Sequence, residues 1–183
     1  MVVAKHYRKN NIAEYILYMW QVEDLIRSNN FDLDAIDGFI IQKHMVDDNT
    51  KGEMRLWYKN LIEEMLQEGI SEKGHLKRNQ NIMRDLETLH LSLVNDIKDD
   101  RYLKPYLQAK PNINALREKS EDKNVSDIYL CFNGLYGMLM LKLKQSHVNA
   151  ETTAAIETIS KLIAYLSAFY KKWEEGDLLL PNG

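Results

Sequence analysis

One cysteine, three prolines and eight glycines are spread through 183 residues. A lone thiol, Cys131, excludes a disulfide within the chain and any zinc site built from cysteines alone. Few breakers leave long uninterrupted segments, and those present fall mostly where helices should end, so no stretch reads as a strand. An excess of one charge is missing too: Lys and Arg number 24 against 27 Asp and Glu, for a net charge of −3. Without a basic balance or a basic stripe, no nucleic-acid binding is expected. The one basic cluster, Lys5-His6-Tyr7-Arg8-Lys9, is short and reads as a solvated lead-in to the first helix.

Long hydrophobic runs are also absent. The longest, residues 128–141, spans only ~21 Å as a helix, against the ~30 Å of a bilayer core. The four residues before the first charge are too few for the apolar region of a secretory signal. A cytoplasmic protein with no membrane partner is therefore expected. Gly-rich phosphate loop, His-Glu-x-x-His, Gly-x-Ser-x-Gly and dinucleotide fingerprint are all missing. The run Asp47-Asp48-Asn49-Thr50-Lys51-Gly52-Glu53 looks superficially like a calcium loop, but its oxygen ligands do not alternate correctly and no acid closes it. No metal and no cofactor is implied.

What is present is helical periodicity in a chain long enough for one domain with a substantial core. Residues 128–141 are apolar all round, which predicts a helix buried among others. A first helix is expected over about 11–28, with Ile12, Ile16, Met19, Val22 and Ile26 forming its stripe. Asp32 should cap a shorter helix over 33–45. A third helix, 51–68, should end in a Schellman turn with Gly69 left-handed and Ile70 folding back on Met65. Ser71 should then cap a long helix over 72–96, in a hairpin with the third. Pro105 and Pro111 predict two short helices, 102–109 and 112–119. Ser126 should cap the apolar helix, running to about 143, and Asn149 the last one, with Gly176 ending it and 177–183 as a tail. The expectation is an all-α, single-domain bundle of six or seven helices.

Two Glu-x-x-His pairs, Glu72 with His75 and Glu87 with His90, have the spacing that places carboxylate and imidazole on one helical face. Di-iron bundles use such pairs on different helices. Here both fall on one expected helix, 15 residues or ~22 Å apart, so they cannot share a cluster. His90 interrupts an apolar seam between Leu86 and Leu93, with Glu87 one turn back. A small-molecule, single-metal or proton-transfer site would need a carboxylate from the first helix, Glu14, Glu23 or Asp24. The plainer reading is a core histidine satisfied by one hydrogen bond. Glu14 poses the same choice between a buried functional carboxylate and one on the wet strip of its helix. His75, beside Gly74, reads as an exposed residue at a helix start. Gly134 and Gly137 in the apolar helix imply close approach of a neighbouring helix, or room for a ligand beside the backbone.

The segment Asn11-Ile-Ala-Glu-Tyr-Ile-Leu-Tyr-Met-Trp-Gln-Val-Glu-Asp-Leu-Ile26, with Glu72-Lys-Gly-His-Leu76 and Leu135-Tyr-Gly-Met-Leu-Met-Leu141, resembles an uncharacterised all-helical family of Bacteroidota bacteria, a domain of unknown function. That resemblance implies a compact bacterial helical domain and brings no catalytic residue, cofactor or partner. Two functional expectations follow from the residues. One is a non-enzymatic interaction or scaffolding protein that forms a homo-oligomer, a dimer first, through spare apolar surface on the first helix and the Leu178-Leu179-Leu180 tail. The other is a pocket protein or enzyme using His90, Glu87 and a carboxylate of the first helix.

Overall fold

The computed structural model describes residues 2–180, and among them every regular element is helical. The α-helices are α1 (Val2–Asn10), α2 (Ile12–Ser28), α3 (Leu33–Phe39), α4 (Asp48–Gln67), α5 (Lys77–Ser92), α6 (Asp100–Lys119), α7 (Asp127–Leu143) and α8 (Ala150–Glu174). A 3₁₀ turn (Ile41–Lys43) follows α3, and a π turn (Leu93–Ile97) continues α5. Among the described residues no helix is long and apolar enough to cross a membrane. Backbone contacts divide the chain into two compact units, residues 2–9 with 14–81 and residues 10–13 with 82–180.

The first unit closes around a core that includes Met19, Val22 and Ile26 of α2, Ile36 of α3, and Met54, Tyr58, Leu61 and Met65 of α4. Ala4 joins it, which is why the basic lead-in is helical as α1 rather than a solvated arm. Helix ends follow their caps. Asp32 accepts from the backbone N–H of Asp34 and Ala35, opening α3. Gly69 takes φ of 70° and Ile70 N–H returns to the Met65 carbonyl at 3.1 Å, the expected Schellman turn.

Three boundaries differ from expectation. The first short helix stops at Phe39 and passes into the 3₁₀ turn instead of reaching residue 45. The calcium-loop look-alike is a helix start, Asp47 capping α4 through Thr50 N–H at 3.0 Å. Ser71 caps nothing: residues 71–76 form a loop, and α5 opens at Lys77 under two carboxylates, Glu23 of α2 and Glu68 just past the end of α4.

In the second unit α6 packs on α8, and α7 packs on both. The two prolines do not divide α6, a continuous 20-residue helix. Tyr102, Pro105, Ala109 and Ile113 recur at helical spacing and are all buried, so the packed face holds the helix together. The carbonyls the prolines leave unpaired, those of Arg101 and Leu107, belong to exposed residues where water can serve them. Ser126 and Asn149 cap α7 and α8 through Tyr129 N–H and Thr152 N–H.

The apolar helix is enveloped most fully in its first half, although Met138 beyond it is also buried. Ile128, Leu130, Cys131 and Phe132 are buried, whereas Leu141 is 40% and Leu143 63% exposed. Its glycines differ. A Cβ on Gly134 would stand 2.9 Å from Leu116 Cδ1 and 3.3 Å from Ile156 Cδ1, so α6 and α8 approach the helix there. Gly137 is exposed and a Cβ would meet nothing. After α8, Gly176 turns the chain at φ of 80° and residues 177–180 leave the helix with Leu179 exposed; the last three residues of the tail lie outside the described residues.

Candidate functional site

Of the four carboxylate and histidine candidates, Glu14 and Glu23 lie in the first unit and Glu87 and His90 in the second. Glu14 is exposed. Glu87 is half-buried and accepts a hydrogen bond from the Ser126 hydroxyl, and Asp24 pairs with Arg27 one turn on. His90 is buried, its Nδ1 2.7 Å from the Tyr102 hydroxyl and its ring edge-on to Tyr106 at 4.8 Å. Burial pushes its imidazole down to about 4, so the ring is neutral near pH 7. Burial likewise drives the Cys131 thiol upward and leaves it unreactive.

Next to His90, at the start of α7, Asp127 gathers the Tyr106 hydroxyl at 2.8 Å, Lys110 Nζ at 2.6 Å and Arg117 Nη2 at 2.6 Å. Burial alone would raise this carboxyl, but the bonds from Lys110, Tyr106 and Arg117 hold it below the usual range. Arg117 also reaches the Val125 carbonyl, tying the 120–126 connection to α6. The donors satisfy the carboxylate fully, and the cluster holds the entry to α7 in place.

Glu23 has a different partner from the one expected. It projects from α2 with no exposed surface, and one carboxylate oxygen lies 2.6 Å from His75 Nδ1. The other accepts from Leu76 N–H at 3.1 Å and Asn79 Nδ2 at 2.7 Å. Glu23 thus caps α5 from across the fold, in place of a local serine. Trp20, one turn before it on α2, lies flat against the His75 ring. Arg27, one turn after it, donates to the carbonyls of Ile70 and Gly74. Residues 20, 23 and 27 lie on one helical face, and that face grips the 71–76 loop. Gly74 supplies the φ of 95° that turns the loop into His75.

With Nδ1 fixed on Glu23 and the side chain 20% exposed, His75 presents a ring whose Nε2 is engaged by no other described residue. Asn79 Oδ1, spent on no partner among the described residues, shows how far the local structure is arranged around the Glu23 carboxylate. Among the described residues no group of three or more His, Cys, Asp and Glu side chains could hold a metal ion.

Residues 1–177 match the model of a protein family described as a domain of unknown function, DUF4924. The chain belongs to that family. Its description assigns no activity, so the family supports the reading of the whole chain without adding a site. No curated protein matches the chain, and no solved structure matches it.

The second unit also carries a groove of about 390 Å³ along α7, lined by Leu116, Leu130, Gly137, Met138, Leu141 and Ile156 among others. Asn133 and Lys119 supply polar edges. Sequence reasoning singled out the glycines but expected helices on every side of them. The Glu23–His75 pair was missed because 52 residues separate the two; its signal was Glu23 and Arg27 sharing a helical face with Trp20.

Proposed function

We propose that this chain is a non-enzymatic, self-associating interaction domain that pairs through the open half of α7. The observation that carries this reading is the strip Asn133, Gly137 and Leu141, exposed at one-turn spacing on the most apolar helix of the chain. Knob and hole lie on the same helix. An antiparallel two-fold pairing centred between positions 137 and 141 sets each Leu141 against the second copy's Gly137, which makes the face complementary to itself. A partner of different shape would not need both on one strip.

The expected apolar surplus on the first helix is not available for this purpose, because Ile12, Ile16, Met19, Trp20, Val22 and Ile26 of α2 are buried. A face one helix wide covers less than the ~1,200–2,000 Å² of a stable interface, so a weak, concentration-dependent dimer is the expected form. A cytoplasmic, bacterial setting without a nucleic-acid partner belongs to the same reading, as does one folding domain in which α5 contributes to both units.

Sedimentation equilibrium across a hundredfold range of concentration tests it. The wild-type chain should shift from monomer toward dimer, and Leu141→Glu should remain monomeric at unchanged helicity. A wild-type chain that is monomeric throughout, or a Leu141→Glu chain that still dimerises, overturns it.

A further inference from the structure

We propose that His75 Nε2 is a phosphoryl-accepting nucleophile, positioned by Glu23 and serving small acyl-phosphate or phosphoramidate donors. Capping α5 requires only the bonds that Glu23 accepts from Leu76 N–H and Asn79 Nδ2. The third bond, to His75 Nδ1 at 2.6 Å, adds nothing to the cap but fixes the imidazole. A buried carboxylate on Nδ1 selects the tautomer with hydrogen there and a lone pair on Nε2. Trp20 fixes the ring plane, and the other carboxylate oxygen is tied down by two donors, so the lone pair has a set direction.

Cationic side chains able to meet an anionic electrophile stand beside this ring. Lys73 and Lys77 flank His75 within two residues, are exposed and make no ion pair among the described residues. Arg78, pairing Glu64 at 3.0 Å, is half-exposed beside them. Glu68 caps Lys77 N–H and Glu64 holds Arg78, while Glu72, three residues before His75, is an exposed carboxylate on the same loop. The N-terminal end of α5 adds its positive dipole.

In the step itself the Nε2 lone pair forms the N–P bond as the bond from phosphorus to the bridging oxygen (or nitrogen) of the donor breaks. The leaving group takes that electron pair, departing as a carboxylate from an acyl phosphate, or as ammonia from protonated phosphoramidate. The ring becomes a phosphorylated imidazolium, its Nδ1–H still donating to the Glu23 carboxylate, which stabilises the positive charge. No metal, oxidant or further co-reactant enters the balance.

The experiment incubates the full chain with acetyl phosphate, and separately with phosphoramidate, at neutral pH, and follows intact mass and the modified position. The exposed His44 and His147 are internal references within the same chain. One acid-labile phosphoryl group on His75, formed at least roughly tenfold faster than on either reference, is the expected result. His75→Asn should abolish it. Glu23→Gln, checked for folding by circular dichroism, should slow it roughly tenfold or more, the scale at which the partner orienting a metal-ligating histidine is felt. In the wild-type chain, long-range proton–nitrogen NMR should show His75 with hydrogen on Nδ1. Absence of label, equal labelling of His44, His147 and His75, or hydrogen on Nε2 each overturns the proposal. So does a folded Glu23→Gln chain that labels at the wild-type rate. All of these readouts use monomeric or dimeric protein alike, so failure here leaves the α7 pairing untouched.

Discussion

The His75 imidazole lies flat on the Trp20 indole, ring centroids 4.2 Å apart and planes 10° from parallel, while its Nδ1 faces the fully buried Glu23 carboxylate at 2.6 Å. One face of α2 therefore governs a loop some fifty residues downstream, and the loop's own sequence does not contain its cap. That dependence makes Glu23 a stability residue whatever chemistry His75 performs.

Removing it should be costly. Glu23→Ala leaves Leu76 N–H, Asn79 Nδ2 and His75 Nδ1 without their acceptor in a buried site, a loss of about 3 kcal/mol or more. Glu14→Ala, on the exposed side of the same helix, should change stability by less than about 1 kcal/mol. Urea unfolding of both variants against wild type measures the contrast; equal effects would refute the role assigned to Glu23.

His90 sets an acid limit. The folded chain resists protonating it until about pH 4, whereas the unfolded chain takes the proton near the ordinary value of 6.5. Between those values the unfolded state binds more protons, so this contribution is complete above about 6.5 and is lost as pH falls toward 4, by up to about 3 kcal/mol. Unfolding free energies at a series of pH values check it, with His90→Gln expected to flatten that part of the slope.

The two glycines of α7 should respond differently to alanine. Gly137→Ala gains about 1 kcal/mol from helix propensity, because the new methyl group meets nothing. Gly134→Ala has the same intrinsic gain but must displace Leu116 Cδ1 and Ile156 Cδ1, so its net effect is near zero. Gly134→Leu should destabilise by about 1–3 kcal/mol. Thermal melts of the three variants at low protein concentration decide the order.

The proposed pairing face makes a further demand. Gly137→Leu fills the hole opposite Leu141 and should leave the chain monomeric without lowering its helical content. Leu107→Glu, at an exposed position on α6 away from that strip, should dimerise as wild type does. Light scattering behind size exclusion separates these outcomes.

Local signals were legible where the element and its stop lie next to each other. Asp32, Ser126 and Asn149 cap the helices they precede, and Gly69 with Ile70 closes α4 as their order dictates. Signals that needed tertiary knowledge were not. The basic residues after Ala4 masked a helix that Ala4 anchors in the core. Pro105 and Pro111 argued for two helices because the sequence does not show that the α6 face bearing Tyr102, Ala109 and Ile113 would be buried. Ser71 looked like a cap because a carboxylate arriving from residue 23 is invisible to any local window. Glu23 stood among the candidate carboxylates, but the histidine it meets, His75, read as an exposed helix-start residue because its partner comes from a distant segment.

The enclosed thiol of Cys131 turns the second unit into its own clock. No reagent can reach that sulfur while α7 keeps its place, and burial keeps it protonated. Alkylation can proceed only from molecules in which the packing around α7 has opened, so the modification rate reads out that opening, with one label per chain and no engineered probe.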